Sequence, residues 1–421
     1  VNALNATLFG IFGGGFNPNP AVLSVALALA VATTWACAAL LFAAAWIKPE
    51  VRMRVLLVLV VAGLASLLSR ELAAALAMPR PFMVGLSPPH LEHGMRAGLP
   101  STHAAVMFTV AFMLVFDRRL RAVGMAVLAM AATTGWARVY VGVHFPLDIV
   151  AGALLGLCIA VAARAAEAGL RPLLSSVRPQ YAWMTGVLSS QRFGPWLVVA
   201  FALAAMWVGL NTPSMIRPAF LQEGGPVENS TIFLYLVSAL CVLTLRPPAW
   251  SKRDVAAVCI VLLAFAAREA DLHIALFGIS ILKARFYNSI GTPWQIAGAL
   301  AVLAPIVLSL LWLALRSQRV WRAALSRRRW RAPARTVLAF MLAIVLAKSL
   351  DRMPEILHDT GLLREMPTAL RYVLLSLEEI LELSLPVLAT VALLQLRLGR
   401  YPTWLRRPRH GLLKQRLAIA R

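Results

Sequence analysis

Acidic residues are scarce in this chain. Its 421 residues include 18 Asp and Glu against 41 Lys and Arg, and charged residues make up only 14% of the whole. A soluble domain is about one quarter charged, so a water-exposed surface over the whole chain is excluded. Cysteine is rare too. Cys37, Cys158, Cys241 and Cys259 all lie inside apolar runs without metal-ligand spacing. That excludes a disulfide framework or a zinc module, reads the four as small hydrophobes, and leaves the redox compartment unspecified. A basic n-region is missing as well: the opening "VNALNATLFGIFGGGF" does not have the form of a cleavable signal peptide.

What is abundant is apolar length. Hydrophobic residues make up 60% of the chain, in runs such as "AVLSVALALAVATTWACAALLFAAAW" (21–46) and "VLLVLVVAGLASLL" (55–68). Runs near 20 residues cross a bilayer as helices, because lipid leaves no other partner for the backbone. The expected fold is all-α: a polytopic integral membrane protein of about eleven transmembrane helices in two bundles. The spans are 23–46, 55–77, 103–116, 122–138, 147–165, 195–210, 231–245, 254–270, 294–315, 336–350 and 373–396. Residues 1–19 read as an interfacial helix followed by a Gly/Pro-rich loop. The polar, basic stretch 166–194 is the expected cytoplasmic linker between a membrane domain at 1–165 and a second six-helix domain at 195–421. No repeat relates the halves.

The net charge of +23 would suggest nucleic acid in a soluble protein. Here the basic residues collect in alternate loops: 47–54, 117–121, 164–178, 246–254, 316–335 and the tail from Arg397. The positive-inside rule makes that side cytoplasmic, with the N-terminus outside and the C-terminus inside, and no nucleic-acid partner is implied. The 316–335 stretch reads as a topology determinant, with anionic lipid headgroups as the alternative. The opposite loops, 78–102, 139–146, 211–230, 271–293 and 351–372, face out.

Three of the outer segments carry polar residues that a bilayer would reject without a purpose. They are "MPRPF" (78–82), "LPSTH" (99–103) and "ARVYVGVHFPLD" (137–148). They supply Arg80, Ser101, Thr102, His103, Arg138, His144 and Asp148, a set suited to phosphoryl transfer. Two arginines can fork onto phosphate oxygens. Ser101 stands where a helix N-cap belongs, aiming the following amides at an anion. Two histidines can divide attack on phosphorus from protonation of the leaving oxygen. Asp148, four residues after His144 and just past Pro146, can hold one ring nitrogen of His144 and leave the other free. No metal and no cofactor is needed.

These blocks, Arg-Pro, Pro-Ser-x-His and Arg-x5-His-x3-Asp, resemble the signature of the type-2 phosphatidic acid phosphatase superfamily over residues 1–165. "NALNATLFGIF", "RPF" (80–82), "LEHG" (91–94) and "ARVYVGVHFPLDIVAG" (137–152) are similar within it to the bacitracin-resistance type of undecaprenyl-diphosphate phosphatases. The resemblance implies a phosphohistidine mechanism with His144 as nucleophile, Asp148 as its orienter and His103 as general acid. Arg80, Arg138, Ser101 and Thr102 would hold the phosphate. The pattern departs at Ala73, where Lys is common, leaving Arg70 one turn earlier as a substitute. It departs also at Ala137, where Ser is usual, and at Thr102, where Gly or Asp is common. His93 and Glu92 are candidate substrate contacts, and His90 reads as a solvated loop residue.

The expected activity is hydrolysis of a polyprenyl diphosphate, undecaprenyl diphosphate first, to the monophosphate and phosphate at the periplasmic face of a bacterial inner membrane. The partner is thus a membrane lipid. Phosphatidylglycerophosphate, phosphatidic acid, lipid A or transfer to a lipid acceptor are the alternatives. The second half carries no nameable motif, though it faintly resembles an uncharacterised bacterial membrane domain with an Arg-Glu-x-Asp-x-His stretch. Its outer-side polar residues are Arg268, Glu269, Asp271, His273, Lys348, Asp351, Arg352, Glu378, Glu379 and Glu382. Glu378 and Glu382 share a helix face, with Arg268 or Lys348 as natural partners. A structural ion-pair network, a headgroup or cation site, a lipid-carrier transport module and a second catalytic site using His273 and the acids as metal ligands all remain open readings.

Overall fold

A computed structural model describes residues 3–91, 94–176, 187–212, 221, 225–247, 250–326, 331–360 and 366–398. Among these every long regular element is a helix, and none is a strand. The chain divides into two compact units, Val1–Arg178 and Pro179–Arg421. The first holds α1 (Ala3–Phe12), α2 (Pro20–Ile47), α3 (Arg52–Leu76), α4 (Thr102–Val115), α5 (Arg121–Tyr140) and α6 (Pro146–Ser176). The second holds α7 (Phe193–Asn211), α8 (Pro226–Thr244), α9 (Lys252–Glu269), the short α10 (Leu272–Phe277), α11 (Pro293–Ser326), α12 (Arg331–Asp359) and α13 (Thr368–Leu398).

Each of the eleven expected spans is a helix. Eight are long and apolar enough to cross a membrane: α2, α3 with its flanking turns, α5, α6, α7, α8, α11 and α12. The other three differ for physical reasons. At 14 residues, α4 is about 21 Å long, short of a ~30 Å hydrocarbon layer. Helices α9 and α13 carry several ionisable residues along their length. Two stretches expected as loops are partly helical instead. The expected linker 166–194 begins as the last turns of α6, which runs to Ser176. The basic stretch 316–335 is taken up largely by the end of α11 and the start of α12. At 34 residues, α11 is about 51 Å long, so its basic end outruns any hydrocarbon layer.

In the first unit α4 is the centre, packed by α3, α5 and α6. It buries Ala104, Ala105, Met107, Val110, Ala111 and Met113, a face of small and flexible residues that lets neighbours approach. The approach is closest on α6. A Cβ at Gly152 would meet the Ser101 carbonyl at 2.7 Å, and one at Gly156 the Thr109 amide at 2.8 Å. This Gly-x3-Gly pair sets the two helix starts side by side, and the Ser101 amide donates to the Asp148 carbonyl at 3.0 Å. At the basic end of the unit, Arg54 of α3 ties to Glu167 of α6 at 2.6 Å and to Asp117 at 3.5 Å.

The second unit is organised on α13, which packs against α7, α8 and α12. Two of its buried polar residues bond across the helix seams. Gln395 accepts from Thr336 at 2.7 Å, and Ser238 donates to the Pro386 carbonyl at 2.9 Å. A capping box of Ser251 and Asp254 starts α9.

Candidate active site

His144 stands in the turn between α5 and α6, 1% exposed. Its Nδ1 faces Asp148 Oδ2 at 3.3 Å, and its Nε2 faces Arg80 Nη1 at 3.1 Å and Ser101 Oγ at 3.2 Å. An arginine only donates, so Nε2 accepts, and the ring proton resides on Nδ1, where Asp148 receives it. The imidazole thus presents a lone pair towards Arg80 and Ser101. Asp148 lies in the first turn of α6, and its Oδ2 also accepts from the Phe145 amide at 2.9 Å. The carboxylate is fixed by its own helix start. Gly98 makes room for it: a Cβ there would lie 2.9 Å from Asp148 Oδ2.

Arg80, just after α3, is spread over a frame of carbonyls. It donates from Nη1 to Val143 at 2.7 Å, from Nε to Arg96 at 2.6 Å and from Nη2 to Ala97 at 3.1 Å. Arg138, on the last turn of α5, is 4% exposed, and its Nε has no hydrogen-bond partner among the described residues. Arg80 and Arg138 repel each other across the site. Burying a guanidinium without a bonded partner costs several kcal/mol in order of magnitude, and an anion such as phosphate is what would offset it.

The structure therefore brings together five of the sequence candidates: Arg80, Ser101, Arg138, His144 and Asp148. Thr102 and His103 occupy the first turn of α4, half-buried, immediately beside Ser101. Ser101 takes the N-cap backbone conformation, but its hydroxyl makes no cap bond and turns to His144 instead. Arg70 is in electrostatic contact with Arg96, not hydrogen-bonded to the group around His144. Arg96 in turn acts electrostatically on Arg80, as Arg80 does on Arg138, so four arginine charges influence one another in series: Arg70, Arg96, Arg80, Arg138. The sequence reading passed over Arg96 and Gly98, because an isolated arginine or glycine in a loop carries no local signal. Glu92 and His93 lie outside the described residues. His90 is not a solvated loop residue: its Nε2 donates to the Gly15 carbonyl at 2.8 Å, pinning the loop to the N-terminal segment.

The polar residues of the second unit fall into a core and a periphery. Glu382 of α13 is the core. Its Oε1 receives Lys348 Nζ at 2.8 Å and Arg268 Nη1 at 3.3 Å. Arg268 also lies 3.6 Å from Glu269, and Lys348 3.6 Å from Asp351. Glu378 and Glu379 are in electrostatic contact with Glu382 and Lys348. His273 turns aside to Ser280 Oγ at 3.0 Å. Partial burial holds its pKa below the usual histidine value, with Asp271 opposing and Arg268 adding to the shift. Asp271 starts α10 with a left-handed backbone, and Arg352 is exposed. Among the described residues no three His, Cys, Asp or Glu side chains form a group that could hold a metal ion.

The first unit thus holds a buried histidine flanked by an aspartate, a serine and arginines, and its sequence gives the family. Residues 53–170 match the PAP2 superfamily, and this part of the chain is a PAP2 superfamily domain. YbjG of Escherichia coli (strain K12), named as an undecaprenyl-diphosphatase, is 27% identical over 204 residues, 48% of this chain and 93% of that protein. The Bacitracin transport permease protein BcrC of Bacillus licheniformis is 36% identical over 72 residues, 17% of this chain and 34% of its own. The Lipid A 4'-phosphatase of Bacteroides thetaiotaomicron is 41% identical over 70 residues, 16% of this chain and 31% of its own. No solved structure matches the chain.

Proposed function

We propose that the first unit is a lipid phosphatase that hydrolyses a polyprenyl diphosphate, undecaprenyl diphosphate first among them, through a phosphohistidine. The observation that carries the reading is the His144 ring. One nitrogen is committed to Asp148, and the other is aimed between Arg80 and Ser101. In this mechanism Nε2 attacks the terminal phosphorus, forming an N–P bond as the P–O bond to the leaving lipid monophosphate breaks. His103, at the head of α4, gives the leaving oxygen its proton. It then takes a proton from the water that attacks the phosphohistidine. The N–P bond breaks, its electron pair returns to Nε2, and inorganic phosphate leaves. Arg80 and Arg138 hold the equatorial oxygens throughout, a stabilisation that grows as charge spreads in the transition state.

The run of four guanidiniums supports a diphosphate over a monophosphate. Arg80 and Arg138 suit the phosphate that is attacked, and Arg96 and Arg70 the one that departs with the lipid. The short α4, about 21 Å long, suits a headgroup site at its start with the lipid tail among the helices. The K/R asymmetry supports a periplasm-facing site in a bacterial inner membrane. YbjG, matched over 93% of its length, is named as a putative undecaprenyl-diphosphatase, which agrees with this reading.

The test is phosphate release by the purified full-length protein from undecaprenyl diphosphate, farnesyl diphosphate, phosphatidylglycerophosphate, phosphatidic acid and lipid A. Diphosphates should lead the panel in kcat/KM. Arg96→Gln should narrow that lead about tenfold, the worth of one charged hydrogen bond, while leaving phosphatidic acid hydrolysis within about threefold. A panel led by a monophosphate would transfer the proposal to that lipid.

A further inference from the structure

We infer that α1 is a positioning element for the nucleophile, with Asn5 supplying from a separate helix the cap that α6 lacks. The inference rests on the proposed role of His144. A helix start leaves amide donors without intrahelical partners, and the residue at the cap position normally satisfies one with a short polar side chain. At α6 that position is Phe145, which has nothing to offer. Pro146 has no amide hydrogen. The Leu147 amide instead donates to Asn5 Oδ1 at 3.2 Å. Four residues on, the Phe9 ring meets Phe145 edge-on, with centroids 5.7 Å apart and planes at 70°. Phe9 and Phe145 are both buried, in a small cluster with Val139 and Ile149.

Asn5 and Phe9 thus grip Phe145 and Leu147, the residues between which the chain turns from His144 into α6. Phe145 also gives its amide to Asp148, so the ring that Phe9 holds belongs to the residue that ties the orienting carboxylate. The segment after α1 is fastened to the same corner. The Gly14 amide donates to the Tyr140 carbonyl at 2.9 Å, and Gly15 receives His90. An interfacial helix serving only as a membrane foot would need none of these bonds. All of α1 lies before the PAP2 match at 53–170.

The experiment compares wild type, Asn5→Ala, Asn5→Asp and Phe9→Leu as purified full-length proteins. It measures kcat and KM on farnesyl diphosphate alongside melting temperature. Alanine suits a helix, so Asn5→Ala should fold with α1 intact. Its kcat should fall about tenfold, as expected for a loosened reacting group, with KM within about twofold. Asn5→Asp keeps the acceptor and should recover to within about twofold of wild type. Phe9→Leu should lower kcat in the same sense as Asn5→Ala. Wild-type kcat in Asn5→Ala, or equal losses in Asn5→Ala and Asn5→Asp, would overturn the inference. A kcat loss that merely tracks the loss of folded protein would also do so. Inactivity of wild type itself on every lipid diphosphate would overturn the phosphatase reading instead.

Discussion

His144 Nδ1 lies 3.3 Å from Asp148 Oδ2, four residues further along the chain, and both side chains are almost wholly buried. One carboxylate so placed fixes both the tautomer of the ring and its direction. The strength of the arrangement is that Asp148 is itself immobilised by the Phe145 amide and by the helix it begins.

The first prediction follows from that pair. His144→Ala should abolish phosphate release, because the phosphoryl group then has no nucleophile to receive it. Asp148→Asn keeps the shape but can hold the wrong tautomer, and kcat should fall about 10²-fold or more, within the range of an acid–base contribution. An acid-labile phosphoenzyme should form in wild type and be absent from His144→Ala. With arginines carrying the phosphate charge, EDTA should leave the rate unchanged and vanadate should inhibit. EDTA inhibition reversed by a divalent cation would overturn the metal-free scheme.

Arg80 and Arg138 should behave differently when removed. Arg80 donates to the carbonyls of Val143, Arg96 and Ala97, so Arg80→Gln should lose both activity and melting temperature. Arg138 is buried against a like charge, and its Nε is unbonded. Arg138→Gln should therefore lose at least about tenfold in kcat/KM while its melting temperature holds or rises, a site in which function opposes stability. Equal destabilisation by both substitutions would show that Arg138 has a structural partner in solution.

How much of this was legible in the sequence follows from how local each signal is. The His144–Asp148 pair was readable because a spacing of four plus Pro146 describes a helix start. Arg80, Ser101 and Arg138 were readable because charge and hydroxyls are out of place in apolar surroundings. The destination of the Ser101 hydroxyl was not, because a cap and a site contact demand the same residue type at the same place. Gly98, Gly152 and Arg96 act through close approach to distant segments, which spacing does not encode. In the second unit, the i, i+4 pair Glu378 and Glu382 gave the face and the candidate bases. Only the packing of α13 against α8 and α12, with α9 beside α8, selected Glu382 as the one they meet.

Topology gives a third prediction, confined to the first unit. Met95, in the loop that frames Arg80, is 75% exposed, and Arg119, in the basic 117–121 turn, is exposed as well. In a cysteine-free background, Met95→Cys should react with an impermeant maleimide in intact spheroplasts. Arg119→Cys should react only after lysis. The opposite pattern would place the site on the cytoplasmic side and remove the periplasmic lipid cycle from the proposal.

Glu382 carries the last prediction. Its side chain is 9% exposed and receives two cations on one oxygen, whereas Arg268 and Lys348 remain 40% and 38% exposed. A fully buried pair loses about 3–5 kcal/mol when one partner is removed. Here the cations keep access to solvent or headgroups, so the loss should be smaller, about 1–3 kcal/mol. Glu382→Gln should lower the melting temperature and expression of the full-length protein, and Glu382→Leu should lower them further, since it removes the acceptor that both cations share and leaves them only the longer contacts to Glu269 and Asp351. Phosphate release per folded molecule in detergent should stay near wild type, because every residue assigned to that chemistry lies in the first unit. A double variant, Glu382→Leu with Lys348→Leu, should regain part of the lost stability, because it removes the stranded charge along with its partner. If Glu382→Gln instead leaves melting temperature and expression untouched but weakens complementation of a strain lacking its own undecaprenyl-diphosphate phosphatases, the network is not a support. Its two half-exposed cations would then be working on a lipid.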